Sequence, residues 1–156
     1  MKRVSRLSAQ AKQQRLEEFR ERCRENGIPF TQQRRIILQA VLDLDTHPTA
    51  DEVYSSPVVR RAGISRATVY RTLENLAELG AITKTCHAGG TIRYDRRTEI
   101  HHHLVCLRCD AIEDISDAKL DDVSIPDTSA YGFDLKDFRV QLRGLCRHCR
   151  KMEEKS

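Results

Sequence analysis

The sequence contains no apolar run approaching the length of about 18 residues that a transmembrane helix requires. It also lacks a Gly-rich phosphate-binding loop and a nucleophile elbow. A zinc deaminase would carry H-x-E together with P-C-x-x-C, and that combination is absent. We therefore expect neither a membrane protein nor an enzyme.

Apolar and aromatic residues are scarce: they make up 39% and 5% of the 156 residues, against 32% charged residues. A chain of this length holds one medium domain or two small ones. Two small domains with thin cores need support from a bound metal or from a partner chain.

Positive charge is concentrated in the first half of the chain. Residues 1–85 carry 15 Lys and Arg against 10 Asp and Glu, whereas residues 86–156 carry 12 against 13. A basic half joined to a near-neutral half rich in potential ligands favours a polyanion-binding domain joined to a sensor domain. An ordinary solvated surface would give the same counts.

Two C-x-x-C pairs, Cys106/Cys109 and Cys146/Cys149, have the spacing of metal-binding knuckles. Four thiolates complete a tetrahedral Zn²⁺ shell and leave no position for a substrate, so such a site is structural. The alternatives are disulfides or a redox motif. The chain shows no signal peptide, so we expect a cytoplasmic protein with reduced thiols. A redox C-x-x-C would begin a helix, whereas Val105-Cys106 ends an apolar strand.

A histidine triplet immediately precedes the first of these pairs. His101 and His103 lie on one face of a predicted strand, because strand side chains alternate with a period of two. Two imidazoles on one face form half of a metal site.

Four helices are predicted in the first half, after a basic N-terminal arm with Lys2, Arg3 and Arg6. Apolar residues recur at three- and four-residue steps in residues 8–25 and in a second helix capped by Thr31. The capping box Thr49-Ala50-Asp51-Glu52 begins a third helix, which Pro57 cuts.

The fourth predicted helix runs from residue 66 to residue 79 after Gly63 and has a polar and basic exposed face. Two short helices joined by a tight turn have the layout of a helix-turn-helix, whose second helix enters the major groove of DNA. A hairpin around Ala88-Gly89-Gly90 would then be a wing. The candidate DNA-binding residues are Ser65, Arg66, Thr68, Tyr70 and Arg71. An amphipathic helix with a solvated basic end is the alternative.

Periodic patterning stops at residues 95–99, which we interpret as a linker between domains 1–95 and 96–156. The second domain is predicted to contain strands at 101–106, 111–115 and 133–145 and a helix near residue 120. Pro126 shortens that helix, and the charged tail 151–156 is predicted to be disordered. The fold class is therefore α+β, with a winged helix-turn-helix followed by a small α/β domain.

Three segments carry a family likeness: residues 47–54 (HPTADEVY), residues 66–73 (RATVYRTL) and the His-rich strand that ends in the first C-x-x-C. With these motifs the chain resembles the ferric uptake regulator family of metal-dependent bacterial repressors over about residues 10–150. The resemblance implies a cytoplasmic homodimer of winged-helix domains, held together by C-terminal dimerisation domains, that represses transcription from a DNA operator when a regulatory metal is bound.

The resemblance also implies two metal sites. The structural zinc maps onto the four cysteines named above. The regulatory Fe²⁺ or Mn²⁺ maps onto His47, Asp95, His101, His103 and Asp114, a mixed imidazole and carboxylate set that suits these metals better than thiolates would.

With aspartate at positions 95 and 114, the chain resembles the peroxide-sensing branch of the family. In that branch bound Fe²⁺ leads to oxidation of a ligand histidine, here His47 or His101. The alternative is an iron- or other divalent-metal-responsive uptake repressor without peroxide chemistry. A zinc-uptake regulator would recruit a cysteine to the regulatory site, and Cys86 is the nearby candidate.

Two positions depart from the family pattern. Phe138 stands where many relatives place a histidine of a further metal site, so that site is not expected here. Pro126 leaves the length of the dimerisation helix open. A metal buffer or chaperone would account for the ligands but not for the winged-helix pattern.

Overall fold

The computed structural model describes residues 7–86 and 90–154. The described residues up to Thr98 form one compact unit, and those from Glu99 onward form a second. The first is mostly helical with a two-stranded sheet, and the second is built on a three-stranded sheet. The fold is therefore α+β, as predicted. None of the described helices is long and apolar enough to span a membrane.

The first two helices begin at capped N-termini. Helix α1 spans Ala9–Glu25 and α2 spans Gln32–Asp43. The side chains of Ser8 and Thr31 accept hydrogen bonds from backbone N–H groups of the first turns, at 3.1 and 3.3 Å, which satisfies donors that a helix start leaves without partners. Both helices were predicted. The basic arm lies outside the described residues.

Helix α3, Ala50–Ser55, begins with the predicted capping box. The Thr49 hydroxyl accepts from the Glu52 N–H at 3.2 Å, and the Glu52 carboxylate accepts from the Thr49 N–H at 2.7 Å. The chain then turns at Ser56, and α4 starts with Pro57 at its first position and ends at Arg61. Pro57 thus separates the two helices, as predicted.

Helix α5, Arg66–Glu78, follows a turn in which Gly63 adopts a φ of +62°. It buries Val69, Leu73 and Leu76 against the core and leaves its first turns exposed. Strands β1, Thr83–Cys86, and β2, Ile92–Asp95, then pair antiparallel, which confirms the predicted hairpin. The predicted turn residues Ala88 and Gly89 lie outside the described residues.

The segment predicted to be the linker makes contacts within the first unit. The Arg96 side chain is 7% exposed. Its guanidinium donates to the carbonyls of Leu42 and Leu44 at 3.3 and 3.4 Å and contacts the Asp45 carboxylate at 3.2 Å. These carbonyls lie at the C-terminal end of α2, where backbone acceptors lack helical partners. Residues 95–98 therefore belong to the first unit.

In the second unit, strand β3, His102–Cys106, is the central strand. Strand β4, Ile112–Ile115, pairs antiparallel with it and places Asp114 opposite His103. Strand β5, Gln141–Gly144, pairs with it in parallel. Helix α6 is a single turn, Ala118–Asp121, and ends before Pro126, as that proline predicted.

Two predictions for the second unit were wrong. The third strand covers only four of the residues 133–145, because only these four pair with β3, while a 3-10 turn, Ser129–Tyr131, precedes that region. The tail is ordered up to the end of helix α7, Arg147–Glu153, which starts at the second C-x-x-C. Residues 155 and 156 lie outside the described residues.

The apolar core lies in the first unit. Eighteen buried apolar residues from α1 to β2 form one cluster, which includes Phe19, Val41 and Leu73. Among the described residues of the second unit, the buried apolar side chains are those of Val105, Cys106 and Cys149. Of the twelve large apolar side chains that are exposed in residues 7–86 and 90–154, ten belong to this unit, such as those of Tyr131 and Phe133. The second unit therefore depends on something other than its own core.

We expect Thr49→Ala to lower the free energy of unfolding by about 1 kcal/mol, because it removes one half of the capping box. Thr49→Ser keeps the hydroxyl and serves as the matched control. Urea unfolding followed by circular dichroism measures both. Equal stability of the Ala and Ser variants would show that the box does not stabilise α3.

Candidate metal centres and nucleic-acid interface

The four predicted zinc ligands converge in the second unit. Cys106 ends β3, Cys109 follows in the turn, Cys146 is the N-cap of α7 and Cys149 lies in its first turn. Their four Sγ atoms lie within 4.8 Å of one another. The two knuckles, far apart in sequence, thus meet because β3 and β5 are neighbours in one sheet.

The spacing of the sulfur atoms fits a tetrahedral metal shell. Four sulfurs about 2.3 Å from one ion lie about 3.8 Å from one another, and the Sγ atoms of Cys109 and Cys146 are 3.8 Å apart. A disulfide would bring two sulfurs to about 2.05 Å, and all four cysteines are thiols here. The donor set therefore suits a closed Zn²⁺ site.

The thiols differ in how readily they ionise. Backbone N–H groups, first that of Cys146, lower the pKa of Cys106 to about 6. Burial raises the pKa of Cys149 to about 12. At neutral pH the Cys149 thiol keeps its proton unless a cation lies beside it, because desolvation disfavours the thiolate. Four thiolates at this position therefore require a cation between them.

His101 and His103 share one face, as predicted, with ring centroids 4.6 Å apart. Their Nε2 atoms lie 3.5 and 3.7 Å from Oδ1 of Asp114 on the neighbouring strand. All three side chains are at least nine-tenths buried. The Nδ1 atom of His101 is 2.8 Å from the Glu99 carbonyl, which only accepts, so the ring proton lies on Nδ1. Its Nε2 then presents a lone pair towards Asp114.

His102 points to the opposite face and serves another purpose. Its Nδ1 accepts from the Val140 N–H at 3.0 Å, so its Nε2 carries the proton and donates to Asp121 at 3.0 Å. The ring of Phe138 lies 5.9 Å away. His102 thus connects β3 to α6 and to the segment before β5. This role was not predictable from the sequence, although the period of two in a strand places His102 on the face opposite to His101 and His103.

His47 and Asp95 come together in the first unit. The His47 Nε2 lies 3.2 Å from Oδ2 of Asp95, and both side chains are more than nine-tenths buried. The other carboxylate oxygen, Oδ1, accepts from the Arg97 N–H at 2.8 Å, which fixes its orientation. An imidazole and a carboxylate thus face each other in a protected position.

Strand β2 donates hydrogen bonds to the backbone of the segment that contains His47. The Tyr94 N–H donates to the Pro48 carbonyl at 2.9 Å, and the Arg93 guanidinium donates to the His47 carbonyl at 3.0 Å. Arg93 also contacts Glu52 of the capping box at 3.4 Å. Sequence reasoning missed Arg93 because it gave no indication of which element the wing strand contacts.

The predicted DNA-facing residues lie at the start of α5. The Ser65 hydroxyl accepts from the Thr68 N–H and caps the helix. Arg66, Tyr70 and Arg71 are exposed. A start of helix with two exposed arginines and an exposed tyrosine suits the major groove, where Arg bonds guanine and apolar surface contacts the thymine methyl.

An acidic residue that sequence reasoning missed lies against this face. The Asp51 carboxylate accepts two hydrogen bonds from Arg66, both at 2.8 Å, and one from the Tyr70 hydroxyl at 3.1 Å. The only sign of Asp51 in the sequence was its place in the capping box.

The chain is similar to known proteins over most of its length. Residues 25–143 match the profile described as the ferric uptake regulator family. The chain is 33% identical over 144 residues to the ferric uptake regulation protein of Bacillus subtilis, covering 89% of this chain and 97% of that protein. It is 30% identical over 136 residues to the peroxide-responsive repressor PerR of Staphylococcus epidermidis, covering 87% and 91%.

Solved structures are similar too. A zinc-bound manganese uptake regulator, 31% identical, matches with a TM-score of 0.63 over 84% of this chain and 98% of its own. With its fold, its histidine and cysteine clusters and these similarities, the chain belongs to the ferric uptake regulator family.

Proposed function

We propose that this protein is a metal-dependent, DNA-binding transcriptional repressor that senses peroxide through oxidation of a ligand histidine. The observation that carries the proposal is the convergence of buried imidazoles on carboxylates: His101 and His103 on Asp114, and His47 on Asp95. The relatives' names are those of regulators rather than enzymes. The family resemblance implies that the two sets bind one regulatory ion together.

The regulatory ion is proposed to be Fe²⁺ or Mn²⁺. Three imidazole nitrogens and two carboxylate oxygens form a borderline to hard donor set without thiolate. Metal binding then favours the DNA-binding arrangement of the protein by the difference in affinity between its states. Cys86, the candidate ligand for a zinc-uptake regulator, is the exposed last residue of β1 and is left out of the proposed donor set.

The structural ion is proposed to be one Zn²⁺ per chain on the four cysteines. The second unit has little buried apolar surface of its own, so metal binding supplies folding free energy that its core lacks. Its ten exposed apolar side chains support a homodimer formed through this unit, because patches of this kind mark protein interfaces.

The proposed partner of the first unit is a double-stranded DNA operator. Its basic excess, the exposed first turns of α5 and the β1–β2 hairpin support a winged helix that reads the major groove with Ser65, Arg66, Thr68, Tyr70 and Arg71.

The peroxide branch is favoured by aspartate at positions 95 and 114. Fe²⁺ held by these imidazoles and carboxylates would catalyse the transfer of two electrons from a histidine ring to hydrogen peroxide. In the net reaction, one oxygen atom of the peroxide adds to a histidine ring and water leaves. An iron-responsive repressor is the second candidate, favoured by the 33% identity to a ferric uptake regulation protein.

Cys146→Ser should lose the zinc and with it the folded second unit, because a serine oxygen is a poor substitute for a thiolate in a four-sulfur shell. Cys86→Ser, an exposed cysteine outside the group, is the matched control. Elemental analysis, thermal unfolding and sedimentation measure the loss. A Cys146→Ser protein with wild-type stability and dimerisation after chelation would contradict the structural role.

Tyr70→Ala and Arg71→Ala should each weaken binding to DNA and leave the metal content unchanged. A base contact by arginine contributes about 1–3 kcal/mol. The probe is a duplex enriched from a random-sequence library by the Mn²⁺-loaded wild type, and Arg20→Ala on α1, also exposed, is the control. Unchanged affinity in both α5 variants would remove α5 from the interface.

A brief dose of micromolar hydrogen peroxide should add one oxygen atom to His47 or His101 of the Fe²⁺-loaded protein and release the DNA. Tandem mass spectrometry locates the oxygen. The Mn²⁺-loaded protein and His102, which faces Asp121, are the controls. Asp114→Glu should shift the response towards simple iron dependence. If the Fe²⁺ protein stays unmodified and DNA-bound, the iron-responsive alternative replaces the peroxide branch.

A further inference from the structure

Asp51 contacts two of the three large side chains that α5 exposes in its first turns, those of Arg66 and Tyr70. Its Oδ1 accepts from the Arg66 Nε at 2.8 Å and from the Tyr70 hydroxyl at 3.1 Å, and its Oδ2 accepts from the Arg66 Nη2 at 2.8 Å. The Arg66 guanidinium carbon also lies 5.6 Å from the centre of the Tyr70 ring. The three side chains form one cluster on the surface.

Asp51 bonds one edge of the Arg66 guanidinium, and the N–H groups at the other edge remain available to a further acceptor. Arginine has five N–H donors, and Asp51 takes one from Nε and one from Nη2. The remaining donors include the Nη1 and Nη2 pair at the end of the side chain. This end-on pair has the geometry that bonds O6 and N7 of guanine in the major groove.

The capping box fixes the backbone that carries Asp51. This residue lies in the first turn of α3, next to Glu52, which closes the capping box with Thr49 and contacts Arg93. An exposed arginine loses considerable side-chain entropy when a base fixes it. A carboxylate that fixes the same arginine beforehand lowers that cost at the time of binding.

We propose that Asp51 is a positioning residue for base reading: it holds Arg66, against Tyr70, in the orientation that bonds a guanine. This inference rests on the proposed function. The direction in which removal of Asp51 changes DNA affinity distinguishes this role from that of an ordinary surface charge. A negative charge near DNA opposes phosphate binding, so removing it should tighten non-specific binding. Loss of the positioning effect should weaken specific binding.

The test compares wild type and Asp51→Asn, both loaded with Zn²⁺ and Mn²⁺. Asn retains the size of the side chain but loses the bidentate acceptor. Each protein selects duplexes from a random-sequence library, and its affinity is then measured for the duplex selected by wild type and for a scrambled duplex. We expect the ratio of the two affinities to fall on the order of fivefold or more, the lower end of what a bidentate arginine–guanine contact contributes.

The matched control is Glu17→Gln on α1, because Glu17 also pairs with an exposed arginine. The side chains of Glu17 and Arg20 are 55% and 62% exposed, against 52% and 61% for Asp51 and Arg66. This variant removes the same charge and should keep the wild-type affinity ratio. In an Arg66→Ala background, Asp51→Asn should cause no further loss, since the residue acts through Arg66.

Asp51→Ala, with the better helix former, provides a second variant if the first alters thermal unfolding. Selection of the same guanine preference by wild type and by the Asp51 variants would overturn the inference and leave the proposed function intact. An equal loss with and without Arg66 would overturn it as well. A wild-type protein that selects no sequence in Mn²⁺ would instead overturn the proposed function, and this inference with it.

Discussion

Four sulfur atoms within 4.8 Å of one another are the constraint on which the second unit depends. Its strands bury almost no apolar surface, so neither sheet nor helices gain enough from packing to stay folded alone. A cation between the thiolates would join the turn after β3 to the start of α7, and β3 also carries His103. The ion proposed to fold the unit would therefore also fix the strand that carries part of the proposed regulatory site.

In the first unit the buried His47 and Asp95 pair takes its rigidity from hydrogen bonds to the backbone. Arg93 and Tyr94 hold the carbonyls of His47 and Pro48, and Arg96 holds the end of α2. The acidic first turn of α3 contacts both candidate regions, because Glu52 contacts Arg93 beside His47, and Asp51 contacts Arg66 and Tyr70. Potential metal ligands and DNA-facing side chains thus share one short helix as a neighbour.

Features encoded within a few residues were predictable from the sequence. The capping box, Pro57 and the period of two at His101 and His103 each depend on local geometry, and the structure confirms them. The predicted length of the strand at 133–145 was wrong because pairing, not alternation of side chains, decides where a strand begins and ends. Only residues 141–144 pair with β3.

Contacts between distant residues were not predictable in the same way. Arg96 looked like part of a charged linker, since nothing in the sequence showed that backbone carbonyls of α2 would accept from it. Asp51 looked like a capping residue, and its partners on α5 are fifteen and nineteen residues away. Asp95 and Asp114 were predicted as metal ligands only through the family resemblance, because a single aspartate has no recognisable sequence pattern.

Binding of the regulatory metal and binding of DNA are proposed to be coupled, and their coupling free energy is directly measurable because linkage makes it reciprocal. Isothermal titration should give the affinity for Mn²⁺ with and without the selected duplex, and the affinity for the duplex with and without Mn²⁺, on protein that retains its Zn²⁺. We expect each ligand to increase the affinity for the other by the same factor, and we expect His103→Ala to abolish this coupling without loss of zinc. A DNA affinity that is the same in the presence and absence of Mn²⁺ would contradict it.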